Sequence, residues 1–179
     1  MTRMVWAKRA LLFGSVAIGT ALLSASLVGL APDVRTVDMH DACDDVSFNA
    51  AFGDGICIDG LGGGVTVDTF LRVLTNSQNM GAWHFAPGSV RVRSGQAVQA
   101  YNSGGEVHTF TEVEEFGGGF IPELNELTGD VVPAPACLDI PALEFIPAGG
   151  TGTPEVKAPG TYHYECCIHP WMRATVTVR

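Results

Sequence analysis

Residues 160–172 read GTYHYECCIHPWM, and the fold and chemistry of the chain are best approached from this stretch. In an extended strand its two tyrosines and Cys166 share one face, because side chains alternate between the two faces of a strand. If the tyrosines pack inward, Cys166 points inward at the end of the strand. Cys166, His169 and Met172 then follow at three-residue intervals. A thiolate, an imidazole and a thioether on one tight loop form a soft donor set, which suits copper better than magnesium or calcium.

A second imidazole would complete a trigonal copper site. Two imidazoles and one thiolate with a weak axial thioether form the geometry of electron-transfer copper centres. His108 can supply the missing imidazole, because it lies in residues 102–110, NSGGEVHTF, at the start of a predicted strand after a turn. Cys166 is preferred to Cys167 as the thiolate, since Cys167 faces the other side of the strand.

The same residues have other interpretations when they are taken singly. The pair Cys166-x-x-His169 alone fits copper, half of a zinc site or a structural thiol. Met172 also fits a methionine of the hydrophobic core. The approach strand, Met172 and the upstream His108, on one β-rich chain, together favour copper.

The sequence upstream of the loop is typical of a β-protein. Residues 83–113 alternate with period two and predict three short strands separated by turns. Residues 114–141 are rich in Gly, Pro and acidic residues and predict a long loop. Residues 143–178 contain more short apolar stretches between Gly and Pro turns. Several short strands with regular turn signals predict an all-β sandwich or barrel.

The first 31 residues are typical of an export signal. Arg3, Lys8 and Arg9 precede residues 10–31, which carry no charge. Small residues at positions 24–26 offer a cleavage site, although the uncharged stretch is also long enough to cross a bilayer as an uncleaved anchor. In both cases we expect the rest of the chain to be exported to the periplasm or the extracellular space.

Residues 32–82 predict one short helix. Most of this segment is rich in Gly and Asp and shows no strong periodicity. Four apolar residues within it fall on one helical face, and Thr66 or Asp68 can cap that helix. These four residues are Val67, Phe70, Leu71 and Leu74.

Composition and charge exclude some classes of protein. The 179 residues include 46% hydrophobic and 16% charged residues, which is unlike a disordered chain. Ten basic against 19 acidic residues give a net charge of −9, so we expect no nucleic-acid partner. Residues 1–31 hold three basic and no acidic residues, so the remainder carries 7 against 19, or −12. Such a surface favours a basic protein partner and a salt-sensitive encounter.

The quoted stretch and the segment from Asn102 to His108 resemble the cupredoxins, the small blue copper proteins such as plastocyanin and amicyanin. The short Cys-x-x-His-Pro-x-Met loop looks most like the amicyanin type. The resemblance covers roughly residues 83–179. Thr109 replaces the Asn that often follows the first histidine of the family, and this departure affects one hydrogen bond outside the ligand set.

The resemblance implies a cupredoxin-like Greek-key β-sandwich with one type 1 copper ion. His108 and His169 would be the imidazole ligands, Cys166 the thiolate and Met172 the axial thioether. The chain would then consist of a signal peptide or anchor at 1–31, an extension with one short helix at 32–82 and the copper domain at 83–179.

The expected function is one-electron transfer between redox partners. The alternative is a cupredoxin-like module that binds or carries copper without a dedicated electron-transfer role. We do not expect an enzyme, because the His-x-His, His-Cys-His and Cys-x-x-x-Cys motifs of further copper centres do not occur. His169 is expected to lie nearest to solvent. Pro170 and Trp171 are either simple loop residues or an apolar docking patch beside it.

The five cysteines fit an oxidising compartment. A bond between Cys43 and Cys57 would close a local loop, and a bond between Cys137 and Cys167 would join the long loop to the copper strand. Four free buried thiols are the alternative, since spacing does not determine connectivity. The odd cysteine, Cys166, is the one assigned to copper.

Overall fold

The structure, a computed structural model, describes residues 33–179, so the export signal or anchor predicted at 1–31 lies outside the described residues. Within that range, no helix is long and apolar enough to cross a membrane. The described part of the chain is mostly β-structure with three α-helices.

Ten strands, numbered in chain order, lie within residues 33–179. They are β1 Val34–His40, β2 His84–Ala86, β3 Ser89–Val92, β4 Ala97–Asn102, β5 His108–Thr109, β6 Thr111–Val113, β7 Phe145–Ile146, β8 Glu155–Val156, β9 Gly160–Glu165 and β10 Arg173–Val178. The helices are α1 Asp45–Phe52, α2 Val67–Ser77 and α3 Pro122–Thr128, with short 3₁₀ turns at Pro135–Leu138 and Ala142–Glu144.

The strands form two four-stranded sheets that share one hydrophobic core. The first has the order β2-β1-β4-β8 and the second β3-β10-β9-β6, while β5 pairs with β7 alone. Both sheets are mixed, since β1 runs parallel to β4, and β10 runs parallel to β3. Val37 and Met39 of the first sheet and Tyr164 and Val176 of the second are buried in the same cluster. This arrangement is consistent with the predicted β-sandwich, and its Greek-key connectivity stays a prediction.

Strand β1 lies in the segment 32–82, whose sequence shows no strand pattern. It is an inner strand of the first sheet, antiparallel to β2 and parallel to β4. Only Val37 and Met39 of its seven residues are buried, so the alternation is too short to stand out locally. Residues 32–82 therefore contribute to the same sheet as residues that follow position 83.

Helix α2 lies where the apolar stripe predicted a helix. Phe70 and Leu74 are buried in the core, while Leu71 is 39% exposed. Thr66, one of the two expected caps, accepts a hydrogen bond from the backbone N–H of Thr69 at 3.4 Å. A second helix, α1, was not expected. Asp44 caps it by accepting a hydrogen bond from the N–H of Ser47 at 2.9 Å, and Phe48 is buried.

The segment predicted as a long loop at 114–141 contains α3 and one of the 3₁₀ turns. A disulfide bond between Cys137 and Cys167 ties it to the end of β9. The other predicted pair, Cys43 and Cys57, is also bonded. All five cysteines lie within the described residues, and Cys166 is the free one.

Candidate metal centre

Strand β9 brings Cys166 into the core. Tyr164 is 1% exposed and Cys166 is fully buried in the main core cluster. Cys167 points away from that cluster and packs in a second, smaller one with its disulfide partner. The alternation of side chains expected from the sequence therefore separates the free thiol from the bonded one.

Three of the four predicted ligand residues meet at one point. The Nδ1 atoms of His108 and His169 lie 3.2 Å apart, and the Sγ atom of Cys166 lies 3.7 and 3.8 Å from them. The centre of this triangle is about 2.1 Å from each atom, close to usual metal–imidazole lengths of about 2.0–2.1 Å and metal–thiolate lengths of about 2.3 Å. The spacing of the three donor atoms therefore suits a single metal ion.

The fourth predicted residue, Met172, closes the ligand loop. Its carbonyl oxygen accepts a hydrogen bond from the N–H of Cys166 at 3.0 Å, and its own N–H donates to the carbonyl of His169 at 2.9 Å. The side chain of Met172 is fully buried in the main core. These backbone bonds keep Cys166 and Met172 at the base of a short loop whose next residues begin β10.

Asp41 contacts the ring nitrogen of His108 that faces away from the sulfur. The Nε2 atom of His108 lies 2.9 Å from Oδ2 of Asp41, and both side chains are fully buried. Burial alone raises the pKa of Asp41, but hydrogen bonds from His108 and from the N–H of Glu106 outweigh burial and lower it. The ionised carboxylate only accepts hydrogen bonds, so Nε2 of His108 donates and Nδ1 faces the sulfur. Carboxylate–histidine pairs of this kind orient metal ligands.

Asp41 is itself fixed by the backbone. Its Oδ1 atom accepts hydrogen bonds from the N–H groups of Cys43 at 3.2 Å and Gly105 at 3.0 Å. Its Oδ2 atom accepts a further bond from the N–H of Glu106 at 2.9 Å. These contacts join the end of β1 to the turn that precedes His108. The ring of His108 therefore has little freedom to turn.

The other imidazole, His169, has a looser support. Its Nε2 atom lies 3.7 Å from Oε2 of Glu106, which is longer than a hydrogen bond. That oxygen accepts a hydrogen bond from Nε1 of Trp83 at 2.5 Å. Burial raises the pKa of Glu106, although the charge of His169 and the bond from Trp83 act against it.

The surroundings of Cys166 favour its thiolate form. Burial raises the pKa of the thiol, but contacts with His108 and His169 bring it well below its usual value. In the same way, burial lowers the pKa of His108, while Asp41 and Cys166 raise it to about 9. The backbone N–H of Thr109 points to the sulfur at 3.4 Å. A deprotonated thiol is the form that binds a metal ion.

Thr109 also makes a hydrogen bond through its side chain. Its Oγ1 atom accepts a hydrogen bond from the N–H of Cys167 at 2.8 Å, and Thr109 is fully buried. The bond joins the His108 strand to the residue that follows Cys166. The side chain of Thr109 therefore links the two segments that carry the candidate ligands.

Among the four candidate ligands His169 lies nearest to solvent, as expected, because His108, Cys166 and Met172 are fully buried. His169 is 3% exposed and Trp171 is 8% exposed, and Pro170 is buried as well, so these residues form no exposed docking patch. The rings of Phe70 and Trp171 lie 5.9 Å apart, and Nε1 of Trp171 donates to the carbonyl of Met80 at 3.2 Å. The segment before position 83 covers the loop that the sequence predicted to be open.

Sequence reasoning missed the residues that support the imidazoles. Asp41 and Glu106 stand in no metal-binding spacing with the ligands, and Asp41 is 67 positions from His108. The one local signal is that Glu106 lies two residues before His108 in the segment that resembles the cupredoxins.

No protein-family model matches the chain, and no curated protein matches it either. Solved structures similar to it are cupredoxins. A purple cupredoxin from Nitrosopumilus maritimus is 20% identical, with a TM-score of 0.40 over 59% of this chain and 93% of that one. Oxidised plastocyanin from Dryopteris crassirhizoma is 23% identical, with a TM-score of 0.37 over 54% and 89%. A methionine-to-alanine variant of amicyanin in the Cu(I) state is 18% identical, with a TM-score of 0.36 over 54% and 73%. At these TM-scores the similarity carries no argument about function. The function proposed below is argued from the donor set.

Proposed function

We propose that this chain is an exported type 1 copper protein that carries single electrons between redox partners. The observation that carries the proposal is the buried triangle of one thiolate sulfur and two imidazole nitrogens. His108, His169 and Cys166 would hold the ion, and Met172 would be its axial ligand. Copper, when bound, supplies one-electron chemistry, because the soft sulfur and the imidazoles suit both of its oxidation states.

The residues around the donors support rapid electron exchange. Asp41 fixes His108, the loop bonds fix Cys166 relative to Met172, and the N–H of Thr109 points to the sulfur. A ligand set held in this way moves little when the charge of the ion changes. Hydrogen bonding to the sulfur and the apolar shell would tune the reduction potential.

The charge and the disulfide bonds support the proposed setting. A formal charge of −12 on residues 32–179 favours a redox partner with a basic docking surface. The bonds Cys43–Cys57 and Cys137–Cys167 fit an oxidising compartment outside the cytoplasm.

The burial of His169 favours a second candidate function. A carrier of electrons benefits from a ligand edge near the surface, and His169 is 3% exposed. The same donors would serve a module that binds or delivers copper without a dedicated electron-transfer role.

The absorption spectrum of the copper-loaded protein tests the first proposal. We expect an intense visible band from the thiolate–copper bond, which is lost in Cys166→Ser and kept in His40→Ala, a histidine outside the donor set. A colourless copper complex of the natural chain would overturn the proposal. Reversible oxidation and reduction with copper retained in both states supports the carrier, whereas release of copper on reduction supports the delivery module.

A further inference from the structure

An apolar pocket of about 460 Å³ lies beside the metal centre. Helices α1, α2 and α3 contribute to its walls, and Glu106 and His169 also line it. It reaches the surface, since its lining residue Phe52 is 54% exposed. Pockets of about 300–1,000 Å³ with apolar walls and a few polar groups are the usual sites for small molecules.

The walls of the pocket suit an aromatic guest. Phe48, Phe52 and Phe70 supply aromatic rings from two helices, and Leu124 and Leu127 supply aliphatic surface from the third. Aromatic rings pack against each other in stacked or edge-to-face arrangements that add to the hydrophobic effect. The body of a ligand that fills this space is therefore apolar and preferably aromatic.

Glu106 supplies one hydrogen-bond acceptor to this apolar pocket. Its side chain is 10% exposed, and its Oε2 atom is already bonded to Trp83. The Oε1 atom accepts no hydrogen bond from the residues the structure describes, and it is not among their fully buried unpartnered atoms, so it stays accessible. A carboxyl oxygen in apolar surroundings gains most from a donor that reaches it through the pocket. A hydroxyl group on the ligand is such a donor.

The charges around the pocket exclude acidic ligands. Glu106 and Glu123 both line it, and residues 32–179 carry a formal charge of −12. An anion placed there would meet like charges in a low-dielectric site. We propose that this pocket binds small uncharged aromatic alcohols, with the hydroxyl group donating to Glu106 and the ring among the three phenylalanines.

A ligand bound in this way contacts the metal centre, because His169 lines the same pocket. The site is nevertheless distinct from the donor set, since it uses neither the sulfur nor the Nδ1 atoms. Binding therefore does not depend on the proposed copper function and takes place in the metal-free protein as well.

Calorimetric titration of the metal-free protein with 2-naphthol tests the proposal, with naphthalene and 2-naphthoate as matched probes. We expect 2-naphthol to bind about 10–100-fold more tightly than naphthalene, the range expected from a hydrogen bond to a carboxylate. 2-Naphthoate should bind more weakly still, because its charge is repelled. Equal binding of 2-naphthol and either matched probe, or no binding of 2-naphthol, would overturn the proposal.

Two variants on α2 locate the binding. Leu71 lines the pocket and is partly exposed, so Leu71→Trp fills space there without emptying the core. Asn76, an exposed residue of the same helix that does not line the pocket, gives the control Asn76→Trp. We expect Leu71→Trp to weaken 2-naphthol about 10-fold or more and Asn76→Trp to leave it unchanged. Equal affinities for the two variants would place the ligand elsewhere and overturn the assignment.

A second readout separates this proposal from the copper function. In the copper-loaded protein, 2-naphthol should shift the visible band, because it contacts His169. Binding heat in the metal-free protein together with a colourless copper complex would retain the pocket and overturn the copper function. A coloured copper complex with no binding heat in either form would retain the copper function and overturn the pocket proposal.

Discussion

His108 and His169 place equivalent nitrogens beside the same sulfur, yet their outer nitrogens meet different surroundings. His108 is fully buried, and its Nε2 atom bonds to Asp41 at 2.9 Å. His169 has only Glu106 at 3.7 Å and borders the apolar pocket. One ring is anchored by the scaffold of the first sheet, while the other is held by its loop and by packing.

This difference assigns separate tasks to the two sides of the centre. The Asp41 side determines which nitrogen of His108 is free to bind a metal ion and fixes the orientation of the ring. The Glu106 side contains the accessible space. We therefore expect changes on the first side to affect metal affinity and folding together, and changes on the second side to affect mainly what reaches the ion.

Removal of either imidazole should have the largest effect on copper binding. The two variants should differ in how far added imidazole restores the copper site. His108→Gly and His169→Gly should each weaken copper binding more than about 100-fold, beyond the loss typical of a supporting residue. Added imidazole should restore the visible band in His169→Gly, because the pocket leads to the vacated position. It should restore His108→Gly far less, since that position is enclosed.

The control for this comparison is His163→Gly, a histidine of β9 that lies outside the donor set. It should keep the copper band without added imidazole. Equal rescue of His108→Gly and His169→Gly in spectroscopic titrations would contradict the contrast between an enclosed and an accessible ligand.

Exchange of the supporting carboxylates should have the next largest effect. All four groups that meet Asp41 are donors: Nε2 of His108 and the N–H groups of Cys43, Gly105 and Glu106. In Asp41→Asn the amide NH₂ would face two of these donors, so we expect a loss of about 1–3 kcal/mol in unfolding free energy. Copper affinity should fall about 10–100-fold.

The matched change beside His169 is Glu106→Gln. The amide oxygen can still accept from Trp83, and the distance to His169 is already too long for a hydrogen bond. Competition titrations should show a loss of copper affinity below about 10-fold. Equal losses in the two variants would mean that the two imidazoles are supported alike.

The local parts of this centre were predictable from the sequence. Cys166, His169 and Met172 lie within seven residues, and strand alternation separates Cys166 from Cys167. Both disulfide pairs and the position of α2 also agree with the expectations. These features depend on short-range spacing and on a resemblance, and the ligand roles themselves stay predictions.

The supporting contacts were not predictable, because they join residues far apart in the chain. Asp41 reaches His108 only because β1 pairs in parallel with β4, and no local pattern encodes that register. The burial of His169 likewise depends on tertiary packing, because the ring of Trp83 lies 6.5 Å from it. Phe70, from the extension predicted at 32–82, packs against the neighbouring Trp171. Local sequence can therefore predict the candidate ligands, but tertiary packing determines which residues surround them.

A smaller effect is expected from Gly104, which lies against Asp41. A Cβ atom at this position would overlap the carboxylate of Asp41 and lie 2.8 Å from its backbone nitrogen. Gly104→Ala should therefore displace Asp41 and cost about 1–3 kcal/mol of unfolding free energy, as overpacking usually does. Copper affinity should fall less than in Asp41→Asn, because the displaced carboxylate keeps its charge.

Gly81→Ala provides the control for Gly104→Ala. A Cβ atom there would meet no atom within 4 Å, so its stability should change by less than about 0.5 kcal/mol in denaturant unfolding. A normal copper affinity in Gly104→Ala, despite lower stability, would show that the position of Asp41 does not control His108.

The smallest effect on copper binding is expected at Thr109, which links the two ligand segments without touching either imidazole support. Thr109→Val keeps the shape but removes the acceptor of the buried N–H of Cys167, so the unfolding free energy should fall by about 1–3 kcal/mol while the copper band is retained. Thr109→Ser keeps the hydroxyl group and should be less destabilised. If Thr109→Ser unfolds as easily as Thr109→Val, packing of the methyl group and not the hydrogen bond joins the segments.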